Sequence, residues 1–556
     1  MKQSKLLIPT RHCAEEIDTI SERLLVQAGY VTKLATGIYA YLPLAERVIE
    51  KISQVIEQEL STRNSIKMRM PNLLPQEYSL EECASQASEN LFSVNDAASE
   101  TYMLAPAHER SFMELIMKEV RSYKELPLSL FQTQMKYRDE AKKQRGLIDS
   151  REFLMTDVYS FHADQASLDQ FYREMEESLE RILIKCGLSF KVVNGASKRI
   201  GARALREFLI PTPIGQKIFC YASEGAYAAT LAVATSDTIT KKSHATYQPL
   251  EKTTIFDLQE APLDQTIKPL FYLINETIVV LLLRADHLLN EEKVKHFFQQ
   301  KQITALGEQE LLDLIPDFND KEIFEIIARF EVFADPSLAD LVNAQLSSHT
   351  LDLAYRHVNF GRELIVTQFF DMQLVKEGDL APNGQGILHF DRGISVAQMT
   401  KLAPAYASQV GAVFLDDQAQ TQTLNMGYYG IGLTRVFALI VEMYASEGKM
   451  CWPQVIAPFD VHILPLDIHD PFQVELAKQL ARELEQAGYD LLIDDRDVEA
   501  TTKQQDASLI GCPIQCTISN KAVEGVIELE IKAKQAILEV RKEEVLSTLS
   551  ILLQSE

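Results

Sequence analysis

Two apolar, strand-like runs bracket a charged stretch near residue 140, and this arrangement limits the fold more than any other feature of the chain. Phe131 to Tyr137 and Phe153 to Phe161 both have the aromatic and β-branched character of strands. Between them, Asp139 to Ser150 is dominated by charge and carries Gly146. The three segments predict a hairpin with a long charged loop. Antiparallel sheet with flanking helices, rather than regular βαβ alternation, places this first region in the α+β class.

The helices expected to flank that sheet have their own signals. Val48, Ile49, Ile52, Val55, Ile56 and Leu60 recur at helical spacing behind Pro43, which predicts a long amphipathic helix over Leu42 to Leu60. Thr36-Gly37-Ile38-Tyr39-Ala40-Tyr41 before it reads as a strand or extended segment. At 556 residues the chain is long enough for several domains. Hydrophobic residues make up 46% and charged residues 24%, which disfavours disordered, collagen-like and coiled-coil alternatives. The longest clean apolar run, Thr277 to Leu283, is far too short to span a bilayer, and the first residues lack a signal-peptide core. A soluble, cytoplasmic protein with no membrane partner is expected. Seven cysteines without a CxxC pair indicate buried thiols rather than disulfides or zinc, and no metal-ligating set is expected in the protein.

Composition shifts mark the divisions. A polar stretch from Thr235 to Ser243 leads to a buried strand at Thr277 to Arg284, followed by helical patterns through Glu322 to Phe333. Glu377 to Gly386 is rich in turn residues and reads as a junction. From Pro458 a strand (Asp460 to Leu466), a helix (Pro471 to Ala487) and strands at Tyr489 to Ile493, Ile514 to Ser519 and Val526 to Ile531 predict a compact α/β unit. The expected domains are 1–234, 235–395, 396–457 and 458–556.

Three segments carry chemistry. Thr36-Gly37-Ile38-Tyr39 leads the amphipathic helix. Lys136-Tyr137-Arg138-Asp139-Glu140 and Ser150-Arg151-Glu152-Phe153 flank the charged loop, where an Arg at a strand end can grip a phosphate and an aromatic on the partner strand can stack on a base. Gly427-Tyr428-Tyr429-Gly430-Ile431-Gly432-Leu433-Thr434-Arg435 runs glycines into a helix, allowing close ligand approach with an Arg in reach of a polyphosphate. Each alone is weak: a core helix, solvated loop charges and a glycine-rich strand are ordinary.

In this order the three segments resemble the signature motifs of class II aminoacyl-tRNA synthetases. The wording resembles the bacterial prolyl-tRNA synthetases over nearly the whole chain, through Leu34-Ala35-Thr36-Gly37-Ile38-Tyr39-Ala40-Tyr41-Leu42-Pro43-Leu44, Ser122-Tyr123-Lys124-Glu125-Leu126-Pro127-Leu128 and Ile456-Ala457-Pro458-Phe459-Asp460. The resemblance implies a class II antiparallel catalytic sheet with flanking helices, an inserted α/β editing-like domain and a C-terminal α/β anticodon-binding-like domain. It implies activation of proline by ATP with Mg2+, transfer to tRNA(Pro), and a homodimer with the first motif at the interface. Residue by residue, it implies Arg138, Glu140 and Arg435 as catalytic. Arg138, Glu140, Arg151, Phe153 and Arg435 would bind ATP, Glu109 and Arg138 proline, Lys268 would serve editing, and Lys503 the anticodon.

The chain departs from the family in the amino-acid half. Ala105-Pro106-Ala107-His108-Glu109-Arg110 replaces Gly-Pro-Thr-His-Glu-Glu, keeping Glu109 but losing a hydroxyl at Ala107 and reversing a charge at Arg110. Asp149 replaces an Arg of the second motif, Gln398 stands where His is expected, and Tyr428 replaces a Cys of the third motif. In the insertion, Ala354 occupies the position of the family's alanine-sensing His, and an editing fold with little activity is expected. Residues from Pro458 onward hold nine Lys and Arg against nineteen Asp and Glu, which is ten of the chain's 24 net negative charges. With Glu499 and Gln504 in the family's basic segment, anticodon binding is expected to be weakened unless Lys503, Lys521 and Lys532 cluster. Two functions fit these residues: proline–tRNA ligase, or a paralogue that keeps the ATP site while proline and tRNA recognition have changed or been lost.

Overall fold

The structure is a computed structural model. It describes every residue except 12–18, 77–90, 140–144, 197–201, 238–244, 255–261, 301, 319–320, 348–352, 403–406, 409–410, 446–447, 535 and 554–556. By contact density the chain forms two compact units: Met1–Phe190 with Ser197–Arg203 and Val396–Glu556, and Lys191–Ala196 with Ala204–Ser395.

In the first unit the expected hairpin forms from Leu128–Tyr137 and Glu152–His162, antiparallel from Leu128 opposite Phe161 to Tyr137 opposite Glu152. The strand Asn425–Gly432 pairs antiparallel with Glu152–His162 on one side and with residues 397–402 on the other. Ile66–Lys67 closes the far edge, parallel to Leu130 and Phe131. Pro43 opens the helix Pro43–Ser61, and all six residues that carried its helical period are buried. It packs against the helices Gln165–Lys185 and Leu433–Tyr444.

The α/β part from Pro458 has the strand order Leu491–Ile493, Val461–Pro465, Ile514–Ile518, Val526–Ile531, Ala536–Arg541. The first three are parallel and the last two antiparallel to their neighbours. Its core is continuous, from Val461 and Ile463 through Leu480 and Leu484 to Leu529 and Leu549. Arg47 and Lys51 on the Pro43–Ser61 helix hold the start of this part, donating to the carbonyls of Pro458 (2.8 Å) and Ala457 (2.6 Å).

The second unit is built on a sheet in the order Glu251–Thr254, Leu353–Val358, Ala344–Ser347, Thr266–Ile274, Thr277–Arg284, Glu331–Ala334, Gln368–Phe369. Here the helical expectation for Glu322 to Phe333 is corrected: the helix is confined to Ile323–Ile327, and Glu331–Ala334 is a strand parallel to Thr277–Arg284. Val332, Phe333 and Ala334 are buried, so pairing and burial on both faces outweigh the local helical spacing.

Candidate active site

Backbone hydrogen bonds bring the first two motifs together. Arg138 N–H donates to the Arg151 carbonyl at 2.9 Å, extending the hairpin ladder by one rung. Arg151 N–H in turn donates to the Gly37 carbonyl at 2.9 Å. Gly37 sits at φ +74° in the turn between Val31–Ala35 and Ile38–Tyr41, a conformation that glycine adopts without strain. The Arg138 guanidinium lies 5.1 Å from the centroid of the Phe153 ring, and Arg151 approaches Asp139 at 3.5 Å. A cation over a half-exposed aromatic at a strand end is a surface suited to a nucleotide base and its phosphates. Glu140 lies outside the described residues.

The third motif arrives through the sheet. Asn425–Gly432 pairs with Glu152–His162 so that Gly432 lies opposite Met155, and the helix Leu433–Tyr444 begins at once. Arg435 is therefore in the first turn, beside the hairpin. Its Nε donates to the Ile148 carbonyl at 3.0 Å, and a terminal nitrogen lies 3.7 Å from Asp149. The charged loop is not wholly solvated: its final turn, Gly146–Asp149, is a buried 3-10 helix, so Asp149 is set against the start of the Leu433–Tyr444 helix.

Beneath these groups lies a buried polar cluster that sequence reasoning missed. Gln132, Gln134 and Lys136 alternate along one strand and so share a face. Lys136 is fully buried, and its ammonium lies 2.5 Å from Asp157, itself buried, and against His108 Nδ1. Gln132 Nε2 is 3.0 Å from the same ring nitrogen, while His108 Nε2 is 2.9 Å from the Pro71 carbonyl. Two donors face Nδ1 and an acceptor faces Nε2, which assigns a neutral imidazole protonated at Nε2. Burial first, then the Lys136 charge, pushes His108 down to about 4. Burial alone would raise the Asp157 carboxyl, but the Lys136 ammonium outweighs it and holds the group below its ordinary value. Tyr428, the departure in the third motif, donates to Asp157 at 3.1 Å and so belongs to this cluster. The run of polar residues on alternate strand positions was the available signal.

Glu109 follows His108 as the first residue of the helix Glu109–Glu119 and is buried. That helix start favours a carboxylate through the backbone dipole. His108 thus joins the cluster to Glu109 along the chain.

The remaining sequence candidates belong to other elements. Lys268 is a half-buried residue of the strand Thr266–Ile274, opposite Leu283. Near it in sequence, Lys293 is committed to Asp371 (2.8 Å) and the Gln373 carbonyl (2.7 Å), and Asn290 caps the helix Glu291–Phe298. Ala354 is fully buried. Lys503 is also fully buried: its ammonium donates to the carbonyls of Pro465 (2.7 Å) and Asp494 (3.3 Å), facing inward rather than presenting charge at the surface. Nor do its expected companions join it: Lys532 donates to the Ala507 carbonyl and Lys521 pairs with Glu539.

Comparison with known proteins gives two family matches along the chain. Residues 92–444 match the tRNA synthetase class II core domain (G, H, P, S and T), and residues 460–551 match the anticodon binding domain. The chain is 37% identical over 569 residues to a proline–tRNA ligase of Latilactobacillus sakei subsp. sakei, covering 100% of both chains. It is 36% identical to a proline–tRNA ligase of Listeria monocytogenes serotype 4a, covering 99% of both. Among solved structures, prolyl-tRNA synthetase from Cryptosporidium parvum complexed with halofuginone and AMPPNP aligns with a TM-score of 0.59 at 12% identity, over 96% of this chain and 77% of that one. At that identity the likeness concerns the fold.

Proposed function

The chain belongs to the class II tRNA synthetases, within the proline–tRNA ligase family, and on that premise we propose how its residues share the reaction. The function is ATP-dependent ligation of proline to tRNA: proline's carboxylate attacks the α-phosphate of ATP, pyrophosphate leaves, and a tRNA hydroxyl then takes the prolyl group from the adenylate with release of AMP. Nothing in the comparisons or the geometry favours a paralogue without that activity.

The observation that carries the assignment is the convergence of Arg138, Phe153 and Arg435 on one end of the hairpin. Arg138 holds the α-phosphate and the proline carboxylate, Phe153 stacks on adenine, and Arg151 contacts the nucleotide. Arg435 binds the γ-phosphate, and Glu140 acts on the ATP side. With the reacting atoms held in line, neutralising the phosphate charge is the main catalytic work. Glu109 pairs with the imino group of proline. Its position depends on His108, so the Lys136–Asp157 pair supports the proline site from below.

Magnesium is assigned to the nucleotide rather than to a dedicated protein cage. Mg2+ typically keeps several waters and takes one or two carboxylates plus substrate phosphates. Among the described residues no group of three or more metal-ligating side chains is poised to hold an ion. The ion supplies charge neutralisation on the phosphates.

We assign 1–234 and 396–457 to the catalytic part, 235–395 to an editing-like insertion containing Lys268, and 458–556 to the tRNA anticodon. The match over 460–551 supports the last. With Lys503 buried, RNA contact falls to other surface groups of that part. A homodimer is supported by exposed apolar residues in the first motif, Leu34 at 69% and Ile38 at 36%. Among the described residues no helix is long and apolar enough to cross a membrane, and a cytoplasmic location is proposed. The test is proline-dependent ATP–pyrophosphate exchange followed by charging of tRNA(Pro). Exchange with proline and not with other amino acids is expected; ATP binding without proline-dependent exchange would overturn the assignment.

A further inference from the structure

Asp149 stands between two guanidinium groups, those of Arg145 and Arg435. Arg145, just before the buried 3-10 turn, grips it with two bonds: Nε donates to Oδ2 at 2.6 Å and a terminal nitrogen donates to Oδ1 at 3.1 Å. Arg435 faces the same Oδ1 at 3.7 Å, too long for a hydrogen bond, while its Nε is spent on the Ile148 carbonyl. The Asp149 side chain is 8% exposed and that of Arg435 is 33% exposed, so water screens this contact only in part.

A carboxylate and a phosphate oxygen compete for the same face of a guanidinium. A carboxylate this close to Arg435 is therefore an internal rival to the γ-phosphate unless another cation saturates it. Arg145 does so with the bidentate geometry that Arg435 lacks. We propose that Arg145 is a positioning residue for ATP: by clamping Asp149 it keeps that carboxylate from competing with the polyphosphate for the Arg435 guanidinium. The inference rests on the assignment of Arg435 to ATP, and the pair Arg145–Asp149 is a unit in which the acid is tolerated because its neighbour neutralises it.

The experiment measures KM for ATP and kcat separately, by proline-dependent ATP–pyrophosphate exchange, on the full chain and on Arg145→Ala, Asp149→Ala, the double variant and Arg435→Ala. Arg145→Ala is expected to raise KM for ATP about tenfold or more with a smaller change in kcat. Asp149→Ala alone stays at or below the wild-type KM, and the double variant returns to within about threefold of wild type. Suppression of one loss by the second substitution is a result that simple loss of packing would not give. An Arg145→Ala KM within twofold of wild type, or a double variant as impaired as Arg145→Ala, overturns the inference. If Arg435→Ala leaves KM for ATP unchanged, the assignment of Arg435 fails, and the inference with it. If Arg435→Ala is impaired while Arg145→Ala is not, the inference alone fails. Should Arg145→Ala not fold, Arg145→Gln is judged by the same criteria.

Discussion

Replacing Lys136 with methionine keeps the length of the side chain and deletes its charge, leaving the carboxylate of Asp157 buried with the Tyr428 hydroxyl as its remaining donor among those described above. Removing one partner of a buried ion pair costs about 3–5 kcal/mol, because the other charge stays desolvated. For a domain of 150–250 residues that corresponds to a fall of roughly 6–20 °C in melting temperature. The pH dependence gives the cause. In the wild type, the Asp157 carboxyl is held low, so its contribution is complete at neutral pH and is lost only as pH falls through that lowered pKa. In Lys136→Met, burial is no longer opposed by the ammonium, the carboxyl pKa rises, and the protonated form becomes the stable one as pH falls. His108 also loses the charge that, after burial, depresses it most, and titrates closer to its ordinary value, where it can pair with Asp157. The difference in melting temperature between wild type and variant should therefore be greatest near pH 8 and shrink toward pH 5.5, as read by scanning calorimetry. Lys136→Met/Asp157→Asn, which removes both charges and keeps an acceptor for Tyr428, should recover most of the loss. A single-variant cost below about 1 kcal/mol, well short of the buried-pair range, would refute the reasoning. So would a difference that does not change with pH.

Arg138→Ala and Arg435→Ala should each lower kcat/KM for ATP in pyrophosphate exchange by roughly 10²–10³-fold, the range found when a charge-stabilising donor is removed; unchanged turnover would refute their placement. Phe153→Leu should raise KM for ATP by about tenfold, in line with roughly 1–3 kcal/mol for base stacking, with little change in KM for proline. Gly430→Ala places a methyl group against the Tyr428 hydroxyl and the Met155 side chain, and should cost about 1–3 kcal/mol and reduce exchange activity; wild-type stability and activity would show that the strand can yield. Buried His108 and His162 are pushed down to about 4 and His462 to about 3, burial being the largest cause in each. Their neutral forms are favoured by the fold, so their contribution is complete above about pH 6.5 and is lost as pH falls toward 4 and 3, by up to about 1.4 kcal/mol per pH unit for each. Thermal midpoints should decline as pH falls from about 6.5 to 5, and a flat profile over that range would contradict this.

Several elements could be read directly from the order of residues. The helix Pro43–Ser61 follows from its apolar spacing, and the hairpin of Leu128–Tyr137 and Glu152–His162 and the strand Val526–Ile531 from runs rich in apolar, aromatic and β-branched residues. The helix Ala500–Ile510 gives no such signal. Its buried residues are Lys503, Asp506, Ala507 and Ile510, and a helix face made partly of ions has no apolar period. The acidity of the C-terminal part likewise has a structural side. Asp494 and Asp506 are buried on Arg496, which donates to both at 2.7–2.8 Å. That fraction of the charge stabilises the interior and does not face RNA.

The sequence by itself determined the family, the antiparallel core and the identities of the ATP-site candidates, because these depend on residue type and local spacing. Which charges are available for chemistry was decided by the tertiary structure. Lys136, His108 and Asp157 are separated along the chain, and Tyr428 reaches Asp157 across 271 positions, yet together they form one buried network. Lys503 and Arg138 are both basic residues in matching motifs, but one is enclosed by backbone carbonyls and the other lies over an aromatic ring at a strand end. The energy of a charge is set by its solvation and its partners, and folding alone supplies both.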